Sequence, residues 1–155
     1  MKKQKWVEGS VVRINIGGGN FSYASLDKIP LIFFYDQIDK GDYSIERIVK
    51  QKVIFRIAVM EAPVKKGRWE IIGTYPVDPV QREKTLFAHN PVGSDEYNIV
   101  TADELKIPST YEECEFMEPY AVWFPEHVEE RLSDHFDGKP NKVMELNKIK
   151  PPFNR

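Results

Sequence analysis

Between Val11 and Ile16 the side chains of Val12, Ile14 and Ile16 alternate with those of Val11, Arg13 and Asn15, the period of two that turns one face of a strand toward a core. Gly17, Gly18, Gly19 and Asn20 follow, then the apolar and aromatic run FSYASL. Residues tolerant of positive φ between two such runs predict a hairpin. Pro30 opens LIFFYD (31–36), whose continuous apolarity predicts burial on both faces. Residues 36–43 are polar and contain Gly41-Asp42, and Ser44 to Gln51 fits either a helical turn or an edge strand. Alternation returns over Lys52 to Met60, with Val53, Phe55, Ile57 and Val59 on one face. Pro63 to Gly67 reads as a basic turn, and Arg68 to Tyr75 as a fifth strand ended by Pro76.

Five sequential strands on short turns predict a mainly β (α+β) fold, a strongly bent antiparallel sheet or an SH3-like small barrel, because a two-stranded ribbon could not bury these faces. Beyond Pro79 the pattern changes. Pro91, Gly93 and Ser94 mark a loop, Tyr97 to Val100 is a short apolar run, and Thr101 to Glu104 has the spacing of a capping box, predicting a helix that Pro108 keeps short. Tyr120 to Phe124 fits a further strand. From Pro125 the signals agree on a helix: proline at the first position, Glu126, Glu129 and Glu130 near the start, Gly138 as the stop, and Val128, Leu132 and Phe136 as one apolar stripe. The 155 residues are the size of one domain, with a β-rich core over about 5–90 and a smaller α/β extension over about 91–155 whose clear helix lies near 125–137.

Composition narrows the functional classes. Hydrophobic residues are 41% and charged residues 30%, which is globular rather than disordered composition. The basic start MKKQKW is broken by Glu8, Gly9 and Ser10 before any apolar run of signal-peptide length, and no stretch approaches a membrane span. A lone cysteine, Cys114, fits a reducing compartment, so the expected location is cytoplasmic. The net charge of −2 hides an asymmetry: residues 94–137 hold 13 acidic and 2 basic side chains, against 10 and 15 in residues 1–93. A field of that sign repels nucleic acid and attracts a basic protein surface, although an ordinary solvated face has the same composition.

No catalytic, cofactor-binding or metal-binding constellation is legible, and the expectation is a binding protein that is not an enzyme. The triple glycine lacks the Lys-Ser/Thr ending and the helix start of a phosphate loop. His127 and His135 lie two helical turns apart with Arg131 between them, which opposes zinc. Cys114 and His89 form a thiol–base pair only if the fold makes them neighbours. Trp6, Trp69 and Trp123 suit either ligand stacking on a β-barrel or core packing, and Lys65, Lys66 and Arg68 suit either a phosphate contact or a solvated turn. A small-molecule or peptide-binding barrel module is therefore the alternative to a protein-binding one, and a buried Trp69 would argue against it.

Several features in order resemble immunity protein family 26 of bacterial polymorphic-toxin systems: Trp6-x-x-Gly9 leading into VVRINI, the glycine-rich turn before FSYA, FFYD at 33–36, the FRIAV strand, and Gly67-x-Trp69 continuing through EIIG to Gly73. The resemblance spans roughly residues 5–90. It implies a cytoplasmic immunity protein whose partner is a cognate toxin domain, as in contact-dependent inhibition, with no active site, cofactor, nucleic acid or membrane involved. Many such toxins are nucleases with basic clefts, which an acidic face would fill. The expected contact residues are Glu112, Glu113, Glu115, Glu118, Glu126, Glu129, Glu130 and Asp134.

Overall fold

A computed structural model describes residues 2–153. In chain order its elements are β1 (Ser10–Gly17), β2 (Asn20–Leu26), β3 (Leu31–Tyr35), α1 (Ile45–Val49), β4 (Val53–Val59), α2 (Ala62–Lys65) and β5 (Glu70–Thr74). Then come α3 (Pro79–Glu83), β6 (Leu86–His89), β7 (Tyr97–Thr101), β8 (Lys106–Ser109), α4 (Tyr111–Cys114) and β9 (Glu118–Pro119). The chain finishes with β10 (Val122–Trp123), α5 (Pro125–Asp137) and α6 (Lys142–Asn147). Two compact units result: residues up to Asp78 with Val122–Asn141, and Pro79–Ala121 with the segment from Lys142 onward.

The first unit is built on a six-stranded sheet in the order β10-β4-β3-β2-β1-β5. Its strands pair antiparallel except for the β10–β4 pair. Val11, Tyr23, Phe33, Tyr35 and Val53 pack under Ile48 of α1 on one face. Strand alternation sends Val12, Ile14, Ile32 and Phe34 to the other, where α5 packs against β1 and buries Val128 and Leu132. A helix on each side explains why all five residues of β3 are buried. It also explains the first correction: the sheet stays open and no barrel closes. β5 returns to β1 instead of reaching β4, whose other edge is taken by β10, and the helices bury the faces that a barrel would have turned inward.

The second unit holds a sheet that the sequence pattern did not reveal, four strands in the order β8-β7-β6-β9. α4 packs on β6 and β7, enclosing Ala88, Tyr97 and Cys114 with Ile99, Tyr111 and Met117 around them. The expected capping box at Thr101 is a second correction. The Thr101 carbonyl accepts from Glu104 N–H and the Thr101 N–H donates to the Leu105 carbonyl, while Thr101 Oγ1 accepts from Leu105 N–H. These bonds close the β7–β8 turn, with Glu104 at φ 64, and Pro108 sits in the edge strand β8, where a missing N–H is tolerated. The same Thr-x-x-Glu spacing does start a helix nine residues later: Thr110 caps α4, accepting from Glu113 N–H at 3.2 Å. Elsewhere, Ser44 to Gln51 resolves as the helix α1 with Ser44 as its cap, and the expected basic turn from Pro63 to Gly67 contains most of α2, which stops at Lys65 ahead of Gly67 at φ 82.

Candidate partner-binding surface

Helix α5 carries four of the expected contact residues in the first unit. Pro125 occupies its first turn and Gly138, in the left-handed conformation, ends it. Glu129 is tied into the fold: its carboxylate receives Arg68 Nε and Nη2, each at 2.8 Å, and the buried indole Nε1 of Trp69 at 2.9 Å. Arg68 also reaches Glu126 at 3.0 Å. The bond to Glu129 is the main reason the guanidinium holds its proton more tightly than usual. Glu126 is held below its ordinary value first by a bond from its own backbone N–H, with Arg68 adding to it. Asp134 accepts from Asn141 Nδ2 at 2.9 Å, and Glu130 is exposed.

Steps of four residues place Glu126, Glu130 and Asp134 along one stripe of α5. Arg131 departs from it, its guanidinium lying 3.9 Å above the Phe55 ring and 5.0 Å from that of Trp123. At the start of the helix, Val122 and Phe124 are exposed at 59% and 53% and Met60 at 37%. The Met60 N–H donates to the Trp123 carbonyl, so the exposed apolar side chains gather around one crossing of the chain. An apolar patch bordered by charge is the usual anatomy of a protein interface.

The other four expected residues belong to the second unit. Glu112 and Glu113 lie in the first turn of α4 and Glu115 caps its end, while Glu118 lies in β9. Phe116, between them, is 90% exposed. The acidic block, continuous in sequence, is thus shared between two units, with four of the expected contact residues in each.

The remaining candidates have structural partners. Cys114 is buried and its thiol donates to the Asn98 carbonyl at 3.8 Å, while the His89 ring sits edge-on to Tyr120. His135 meets Asp36 at 2.9 Å and His127 packs on Phe124; among the described residues no group of three or more His, Cys, Asp or Glu side chains is placed to hold a metal ion. Trp69 and Trp123 are buried, and Trp6 Nε1 donates to the Asp27 carbonyl at 2.7 Å; burial of Trp69 removes it as a stacking platform. Lys65 pairs with Glu61, and Arg68, read from sequence as part of a basic tip, grips a helix about sixty positions away. Nothing near Arg68 in the chain signals that pairing.

A polar pair of buried Tyr23 and half-buried Asp39 also escaped the sequence reading. Tyr23 O–H donates to Asp39 at 2.5 Å, and the same carboxylate accepts from Gln37 Nε2 and the Gly41 N–H. Burial alone would raise Asp39, yet these bonds hold it below the usual carboxylate range. Burial first, and then the bond to Asp39, push Tyr23 well above the ordinary tyrosine value.

Residues 7–97 match the family model described as immunity protein 26, which bears out the resemblance carried by the glycine and aromatic motifs. No curated protein and no solved structure matches the chain. No helix among the described residues is long and apolar enough to cross a membrane.

Proposed function

Because the chain belongs to the immunity protein 26 family, we propose that it protects a toxin-producing bacterium by binding a cognate toxin domain in the cytosol. It acts by direct protein–protein contact and catalyses no reaction of its own. Family membership is the observation that carries this reading. The toxin is a nuclease with a basic substrate cleft, and the stripe of Glu126, Glu130 and Asp134 beside exposed Phe124 is the surface that enters it. This arrangement supports contact there because an apolar centre supplies affinity while bordering carboxylates accelerate encounter with a basic surface. Glu112, Glu113, Glu115 and Glu118 around exposed Phe116 form the second candidate contact.

The test needs a cognate toxin domain, to be sought in the gene immediately upstream of this one. Co-expression should restore growth of cells producing that domain, and the purified proteins should form a complex. Loss of protection would overturn the immunity reading itself. Glu126→Gln combined with Glu130→Gln should slow association about three- to tenfold at low salt and less at high salt. Unchanged rate and affinity would remove the α5 stripe from the interface while leaving protection intact.

A further inference from the structure

The edge strands of the two sheets differ in what they can accept. In the second unit, β8 and β9 each contain a proline, Pro108 and Pro119, and a proline interrupts the row of donors that an added strand needs. In the first unit, β10 is two residues long, with Pro125 two positions beyond it. The remaining edge, β5, has five residues and no proline. Beside it lies a groove of about 720 Å³ whose lining joins β5 to the segment from Lys2 to Val7 and includes no residue of α5. We propose that this edge accepts an extended acidic peptide segment as an added strand, at a surface separate from the α5 stripe.

An amide already stands where such a strand would pair. The Ile71 N–H donates to Gln4 Oε1 at 2.8 Å, and Gln4 Nε2 donates to the Trp69 carbonyl at 2.8 Å. Trp69 and Ile71 are two positions apart, so these backbone groups face the same side of the chain. One side-chain amide thus supplies both the acceptor and the donor that a neighbouring strand would bring. An incoming strand replaces those two bonds like for like, which changes the net hydrogen bonding little; the third, from Gln4 Nε2 to the Val64 carbonyl at 2.9 Å, is left to water. The segment carrying Gln4 keeps its other anchors, the Gln4 N–H to the Lys65 carbonyl at 2.9 Å and Trp6 Nε1 to the Asp27 carbonyl at 2.7 Å.

Charge decides which peptide fits. Lys2, Lys3 and Lys5 are exposed and line the groove, and the one carboxylate among its described lining residues, Glu70, is met by Arg13 at 3.3 Å. The excess of positive charge attracts carboxylates and repels a basic strand. A compact anion gains from the lysines alone, whereas an extended acidic peptide gains from the lysines and the backbone edge together. Val7, 51% exposed in the same lining, gives an apolar side chain of that peptide a contact.

The experiment is an amide NMR titration of the full chain with a blocked hexapeptide of alternating Glu and Val. Its Lys–Val and Glu–Pro counterparts and citrate serve as comparison probes. The Glu–Val peptide should shift the Ile71 and Thr74 amides saturably, move the Gln4 side-chain amide signals to their solvated position, and bind at least about tenfold more tightly than the other three at low salt. Lys2→Gln, Lys3→Gln and Lys5→Gln together should weaken it about tenfold at low salt and less at high salt. Gln4→Ala, which clears the edge, should bind it at least as tightly while the remaining spectrum reports an intact fold. The absence of a saturable shift, an equal response to any comparison probe, indifference to the triple substitution, or weaker binding by Gln4→Ala would each overturn the proposal. No toxin enters the titration, so its outcome stands apart from the immunity reading.

Discussion

Trp69 Nε1 donates to Glu129 Oε2 at 2.9 Å, so one carboxylate of α5 satisfies a fully buried indole while also holding Arg68 through two bonds. This couples the start of β5 to the helix that covers the sheet. Glu129 therefore differs in kind from its acidic neighbours, because its removal strands a buried donor.

Glu129→Ala should destabilise the first unit by about 2–3 kcal/mol, the cost of an orphaned indole N–H plus a lost charge-assisted pair. Glu129→Gln, which keeps an acceptor, should cost about 1 kcal/mol. Urea unfolding followed by tryptophan fluorescence reads both. A cycle with Trp69→Phe isolates the coupling, which should be non-additive.

Glu126→Gln and Glu130→Gln alter only exposed carboxylates, and each should change stability by less than about 0.5 kcal/mol. The same denaturation series checks this. It is the condition under which their effect on toxin association reports the interface and not the fold.

The Tyr23–Asp39 pair should make stability fall toward both pH extremes. Asp39 is held below its ordinary value, so the unfolded chain binds that proton more readily. Its contribution is full above the unfolded carboxyl pKa and is lost as pH drops through the folded one. Tyr23 is raised above 10.0, so its contribution is full below that value and is lost as pH climbs through the folded pKa. Tyr23→Phe should cost about 1–2 kcal/mol at neutral pH and flatten the alkaline limb, and Asp39→Asn should flatten the acid limb. Urea midpoints measured across the pH range decide it.

Thr110→Ala should cost about 1 kcal/mol by uncapping α4, whereas Thr101→Ala should lose only a turn contact to Leu105 and leave that helix in place. Hydrogen exchange at the Glu113 and Cys114 amides separates the two, rising in the first variant alone.

Gly67→Ala should loosen the N-terminal segment. An added Cβ would lie 2.0 Å from the Lys2 carbonyl oxygen at a residue with φ +82, and the left-handed conformation by itself costs about 1–2 kcal/mol in an L-residue. The Gln4 side chain, which accepts from the Ile71 N–H and donates to the Val64 and Trp69 carbonyls, should release them. Faster exchange at the Ile71 amide is the expected sign.

Features that depend on neighbours along the chain were legible in the order of the amino acids. The alternation in VVRINI and FRIAV, the glycine turn between β1 and β2, and the proline and glycine that bracket α5 act over a few residues, and the family motifs lie within that same stretch. Thr101 marks the limit of such signals: its spacing to Glu104 is equally compatible with a helix cap and a strand turn, and the pairing of β7 with β8 decided between them. Tertiary structure alone decided that the first sheet stays open, that a second sheet forms, and that an acidic block continuous in sequence is divided, with Glu129 consumed by Arg68 and Trp69 and Glu130 left exposed. The physical reason is that each of these outcomes depends on which edge or face meets which, across separations of tens of residues, where burial of a whole surface outweighs any local preference.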